Sequence, residues 1–200
     1  MGVLASIIDR SISGSFSSDM FFNIRGGAFC YCKNLTSVSF PNATSIGDWA
    51  FESCSNLTEA SIPNAISIGD FAFRSCSKLT EVSFPEATNI GQYAFYNCRK
   101  LTSVSIPGAM SIGQYAFYDC RSLTSASFPE VTSIDVYAFN SCRALTTLYI
   151  GTESNTVCTL SSTNAIPSSV TDIYVPSSLV DSYKSATNWS SFASKIKATP

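Results

Sequence analysis

Residues 90–98 read IGQYAFYNC and residues 112–120 read IGQYAFYDC, so eight of nine letters return after 22 residues. The interval holds in column after column. Phe recurs at 29, 51, 73, 95, 117 and 139, and Cys at 32, 54, 76, 98, 120 and 142. Leu recurs at 35, 57, 79, 101, 123 and 145, and Pro at 41, 63, 85, 107 and 129. Four columns in register at one period mark a stack of like units. Each unit is too small to bury its own apolar face and does so only against its neighbours.

The first half of a copy runs Leu35-Thr-Ser-Val38-Ser-Phe40-Pro41. Val38 and Phe40 alternate with Ser37 and Ser39, which predicts a half-buried strand. Pro closes it, where a lost ladder donor matters least. The second half runs from Ile46 to Cys54 and on to Leu57. Ile46, Ala50, Cys54 and Leu57 are spaced four, four and three, the buried stripe of a short helix or 3₁₀ turn. Gly at 47, 69, 91 and 113, with Asp135 next in the column, predicts a tight bend at positive φ before that turn. Stacked copies then form a parallel sheet along one side and helical turns along the other.

The ends differ. Residues 23–32, NIRGGAFCYC, fit as a half-copy, with Ile24, Ala28, Phe29 and Cys32 in register, and residues 1–22 keep no clear register, which predicts a cap. After an insertion, Val170 to Pro176 repeats the strand pattern as a seventh rung. Ser177 or Ser178 is a candidate helix N-cap. Trp189 and Phe192 are candidates to cover the last core layer.

Composition narrows the chemistry. The chain has 200 residues, 45% hydrophobic and 13% charged, with a formal net charge of −2 and no His. The mild acidity argues against a nucleic-acid partner. No run of 18 apolar residues occurs, so no membrane span is expected. The N-terminal residues lack a basic segment followed by a long apolar one, and no signal peptide is read there. Without His, the commonest general base and a leading zinc ligand are missing. No phosphate-loop, dinucleotide or calcium-loop motif is present. No enzyme activity, cofactor or metal is expected.

The columns LxxVxFP and IGxxAFxxC, seen together in LTSVSFPNATSIGDWAFESC at 35–54, resemble the BspA-like class of leucine-rich repeats. The resemblance covers roughly residues 24–150. It implies a curved solenoid with its parallel strands on one face. It also implies a bacterial surface or secreted protein concerned with adhesion and protein binding. The ending IYVPSSLVDSYKSATNWSSFASKI resembles that of many such proteins from gut Firmicutes, some in prophage regions. Together these predict one α/β domain over residues 1–200, a right-handed leucine-rich-repeat solenoid. Its parts are an N-terminal cap (1–23), the repeats (24–150), an insertion with the last rung (151–176) and a helical C-terminal cap (177–200). The expected role is non-catalytic binding of an extracellular or host protein, or of a surface glycan, at the cell surface or after secretion. The alternative is a structural or receptor-binding part of a phage particle.

Three sets of residues are candidate sites. The outward strand positions are Ser37, Ser39, Glu59, Ser61, Glu81, Ser83, Ser103, Ser105, Ser125, Ser127, Thr147 and Tyr149. They form either a recognition surface or a solvated face of small hydroxyls. Arg99, Arg121 and Arg143 each follow a column Cys and would stack as a basic stripe. An aromatic column of Trp49, Phe71, Tyr93, Tyr115 and Tyr137 lies beside it, with Tyr96 and Tyr118 as a shorter one. Tyr and Arg together would grip a sugar or an acidic partner, or the rings would pack flat with Arg resting on them. The six column cysteines are expected to be free thiols. Equivalent Cβ atoms on neighbouring rungs point the same way, about 5 Å apart, which does not suit a disulfide. Cys30, Cys32 and Cys158 are open exceptions.

Overall fold

The computed structural model of the protein describes residues 10–151 and 156–200. The strands alternate in length along the chain. They are β1 (Ser13–Ser17), β2 (Asn23–Ile24), β3 (Asn34–Ser39), β4 (Ser45–Ile46), β5 (Glu59–Ser61), β6 (Ser67–Ile68), β7 (Glu81–Ser83) and β8 (Asn89–Ile90). They continue as β9 (Ser103–Ser105), β10 (Ser111–Ile112), β11 (Ser125–Phe128), β12 (Ser133–Ile134), β13 (Thr147–Ile150), β14 (Thr159–Leu160), β15 (Asp172–Val175) and β16 (Ile196–Ala198). Even-numbered strands β2 to β14 make one continuous seven-stranded sheet. The longer strands make two sheets, β1-β3-β5-β7 and β9-β11-β13-β15-β16. All pairings are parallel, and the copies pair at the 22-residue offset, as in Val38 with Ala60 and Ile46 with Ile68.

The second sheet, of two-residue strands, was not foreseen. Ile46 and its equivalents lie in it rather than at the start of a helix. The helical turns expected after them take the form of linked β-turns. Ala50 N–H donates to Gly47 O, Glu52 N–H to Trp49 O and Cys54 N–H to Phe51 O, each an i→i+3 bond. The intervening amides point along the stack: Trp49 N–H donates to Asp70 O, Phe51 to Ala72 and Ser53 to Arg74. Every amide of the turn chain is thus satisfied without a continuing helix. Among the described residues, helix is confined to the insertion and the C-terminal cap: 3₁₀ turns at Thr163–Ala165, Ser177–Leu179 and Trp189–Lys195, and one α-helix, α1 (Val180–Ser185).

The positive-φ expectation for the glycine column is corrected. Positive φ falls two residues later, at Trp49, Phe71, Tyr93, Tyr115 and Tyr137, and again at Ser53, Ser75, Asn97, Asp119 and Ser141. Glycine is required for a different reason. A Cβ on Gly91 would sit 2.6 Å from the carbonyl carbon of Gly69, and one on Gly47 2.5 Å from the Gly26 nitrogen. Rungs approach backbone to backbone there.

The core is a set of files. Phe29, Phe51, Phe73, Phe95, Phe117 and Phe139 stack face to face, with neighbouring centroids between 5.0 and 5.3 Å apart. Each is buried, and burying such a ring contributes about 1.5–3 kcal/mol. The Leu, Cys and Ile files are buried with them. All eight cysteines are free. The column thiols from Cys54 to Cys142 donate to the carbonyl of the Phe one copy back, Cys98 Sγ to Phe73 O at 3.2 Å for example.

Both ends depart from expectation in detail. Residues 1–9 of the expected N-terminal cap lie outside the described residues. Ser13–Ser17 does keep register, with Phe16 opposite Val38, so part of that segment is a further rung. Ser177 and Ser178 do not cap α1. Its N-cap is Leu179, and Pro176 leads the preceding 3₁₀ turn, neither with a side-chain bond. Trp189 does cover the last layer, fully buried, with its indole N–H on Cys158 O at 2.6 Å.

Candidate functional site

The long-strand face is built by alternation. The inward residues Val38, Ala60, Val104, Ala126 and Leu148 are buried and Val82 is half-buried, so their neighbours must point outward. Parallel in-register pairing then sets like positions side by side. Ser37 lies opposite Glu59, and Glu59 opposite Glu81. Ser103 lies opposite Ser125, and Ser105 opposite Ser127. Ser37 Oγ donates to Ser15 Oγ at 2.7 Å, extending the row onto β1. Glu59, Glu81, Ser83, Ser103 and Ser105 are exposed, whereas Ser37, Ser39, Ser61 and Tyr149 are half-buried.

At the far end this face gains residues that the sequence reading did not single out. Tyr149 pairs with Tyr174 in register, and the rings stack at 4.9 Å. Tyr174 in turn is opposite Lys197 on β16. Lys197 is ion-paired with Asp172, whose carboxyl is held below its usual range by hydrogen bonds from Lys197 and Thr171. The alternation Ile173-Tyr174-Val175 carried the signal for Tyr174. Nothing local in the sequence assigned Ile196–Ala198 to a strand, because its partner lies across the whole cap.

The arginine set is not a stripe of free cations. Arg99 Nε meets Asp119 Oδ2 at 3.2 Å, and Arg121 Nε meets Oδ1 of the same carboxylate at 2.7 Å. Asp119 is nearly buried and sits at positive φ, a conformation Asp tolerates. Arg143 stands apart. It lines a cleft of about 420 Å³ with Asn140, Ser141 and Pro167 to Ser169. The aromatic column does pack flat. Phe71, Tyr93, Tyr115 and Tyr137 stack at 4.8–4.9 Å, and Trp49 continues the file at 5.8 Å. The cation over these rings is Arg74, 5.7 Å from the centroids of Phe71 and Tyr96, rather than any of the three predicted arginines. Inside the file ring faces cover one another, while Trp49 at its end is 46% exposed.

Among the described residues, no group of three or more His, Cys, Asp or Glu side chains could hold a metal ion. No described helix is long and apolar enough to cross a membrane.

Against known proteins, the BspA type leucine rich repeat region matches the chain in six copies, over residues 12–111 and 88–194. Among solved structures, a leucine rich cell surface protein of Faecalibacterium prausnitzii is 27% identical over 70% of this chain and 48% of its own, with a TM-score of 0.52. The pneumococcal vaccine antigen PcpA superposes over 94% of this chain and 56% of its own, with a TM-score of 0.62 at 16% identity. A leucine-rich repeat protein of Bacteroides ovatus covers 83% of this chain and 52% of its own, with a TM-score of 0.52 at 22% identity. The last two share the fold alone. The chain spans about half the length of these proteins. No curated protein matches it.

Proposed function

The chain belongs to the BspA-type leucine-rich repeat family, and on that premise we propose that it is a non-catalytic module that binds another protein at a bacterial cell surface through its long-strand face. The observation that carries this reading is the ordered row of outward side chains on that face. Tyr149 and Tyr174 are braced against each other at one end, and the in-register carboxylates of Glu59 and Glu81 stand at the other. Stacked tyrosines supply large contact area at little entropic cost. Exposed like charges one strand apart favour a partner that brings Arg or Lys. The serines between them leave room for a protein surface to approach the backbone. The turn side is the weaker candidate, because Arg99 and Arg121 already share Asp119 and the aromatic faces cover one another. The likeness to the Faecalibacterium surface protein supports the cellular location.

The test is a screen of the isolated chain against arrays of extracellular proteins and of glycans, followed by titration of any ligand found. A protein ligand whose Kd weakens at least ten-fold with Tyr149→Ala/Tyr174→Ala or with Glu59→Lys/Glu81→Lys, and not with Arg99→Ala, supports the reading. A ligand that only the arginine variants release, or a response to glycans alone, overturns it.

A further inference from the structure

The long-strand side is split, and only at one joint. β7 ends one sheet and β9 begins the next, although the short-strand sheet runs unbroken past the same rungs through β6, β8 and β10. The core file is also unbroken there, with Phe73 and Phe95 stacked at 5.3 Å and 3°. The gap opens as a cleft of about 450 Å³ walled by Glu81 to Pro85 and by Thr102, Ser103 and Ser105.

The threonine that starts each strand reports the same break. Thr58, Thr80, Thr124 and Thr146 each donate their amide to the carbonyl of the equivalent Thr one copy back, at 2.8–3.0 Å. Their hydroxyls donate to the same oxygens. Among the described residues Thr102 makes neither bond. Its amide and hydroxyl make no bond to Thr80 O across the joint, and both threonines are exposed.

The cause is readable in two columns. Inward strand residues run Val38, Ala60, Val82, Val104, Ala126, Leu148. From Val38 to Leu148 every joint sets an Ala against a larger residue except the one between Val82 and Val104. Two β-branched side chains in register leave less room there, and Val82 alone of the six is only half-buried. Leu148 does pair with Ile173 in a closed joint, but those two lie 25 residues apart and the connecting chain has slack. Phe16 likewise pairs with Val38 in a closed joint without an Ala, but β1 carries a register shift at Gly14/Ser15 that the repeat strands lack. The second column follows the Pro. Asn64 Nδ2 clamps Pro41 O at 2.6 Å across its joint. The equivalent residue at the split joint is Gly108, which has no side chain to offer; a Cβ there would lie 3.3 Å from Ala87 O and 3.5 Å from Pro85 O. Glu86 makes no clamp at the closed β5–β7 joint, so the missing clamp adds to the Val82–Val104 crowding rather than opening the joint by itself.

We infer that this joint is a built-in hinge: the stack flexes between its third and fourth copies, opening and closing the long-strand side about the continuous Phe file and short-strand sheet. A surface made of two blocks can adjust its curvature. The hinge is a property of the stack and stands whether or not a partner binds that face.

Amide exchange and relaxation dispersion on the whole chain test it. Thr102 N–H should exchange at least ten-fold faster than Thr80 and Thr124, with millisecond broadening confined to residues 82–84 and 102–105. Val82→Ala, which restores an Ala to the joint, should bring Thr102 to within about three-fold of its equivalents and remove the broadening. Gly108→Asn, which restores the clamp, should do the same by an independent route. Thr102 as well protected as Thr80 and Thr124 in the unaltered chain, or protection unmoved by both variants, would overturn the hinge.

Discussion

Each residue type in this chain is chosen by what its equivalents one copy away will do to it. The column cysteines show this best. They are small and buried, and those from Cys54 to Cys142 each donate to a Phe carbonyl. Burial disfavours the thiolate and pushes the thiols of Cys54, Cys76, Cys98 and Cys120 well up from the ordinary 9.0. Cys158 is pushed up to about 12. Since the folded values exceed the unfolded one, this stability is whole below pH 9 and is lost as the pH rises past it. Each such thiol then costs about 1.4 kcal/mol per pH unit. The urea midpoint should therefore fall steeply between about pH 8 and pH 10.5, and Cys98→Ala should make that slope shallower. A midpoint flat across that range would mean the thiols already ionise in the folded state. The free-thiol reading needed only the period and the geometry of a disulfide, so it was legible in the sequence.

At the scale of the element, the strand pattern was legible and the turn pattern only half so. Val38 and Phe40 alternate cleanly, and a period of two has one interpretation. The spacing Ile46, Ala50, Cys54, Leu57 fits a helical stripe, yet it also fits a chain of β-turns whose alternate amides bond the next rung. Distinguishing the two requires knowing that a carbonyl waits one copy away, which no window of a single copy contains. The glycine column was misread for the same reason, since its constraint is a neighbouring backbone and not its own φ. Gly91→Ala tests this. A methyl forced against Gly69 and Asp70 should cost about 3 kcal/mol, as overpacking does. A cost below about 1 kcal/mol would show the rungs free to part there. Tyr149 was legible as a surface aromatic. Its brace Tyr174 follows from the same alternation one rung on. The Asp119 clasp on two arginines was not legible, because a column of Tyr, Ser, Ser, Asn, Asp and Ser gives no sign that one member faces two cations.

For the whole molecule, stacking fixes both stability and surface. Among the described residues the two ends differ, with the strand β1 outermost at one and the Tyr183–Trp189 pair, in edge contact at 5.2 Å, at the other. Between them the long-strand face is a row in which neighbouring side chains share a position number modulo one copy, and that row is what a partner would read. Everything depends on the copies being in register along the chain. The direct measurement is residue-resolved amide exchange across all six copies. Protection should recur every 22 residues and peak at the Phe column, whose amides from Phe29 to Phe117 bond the carbonyl one copy ahead. Phe-column amides that exchange as fast as loop amides, or protection with no 22-residue recurrence, would contradict the stack.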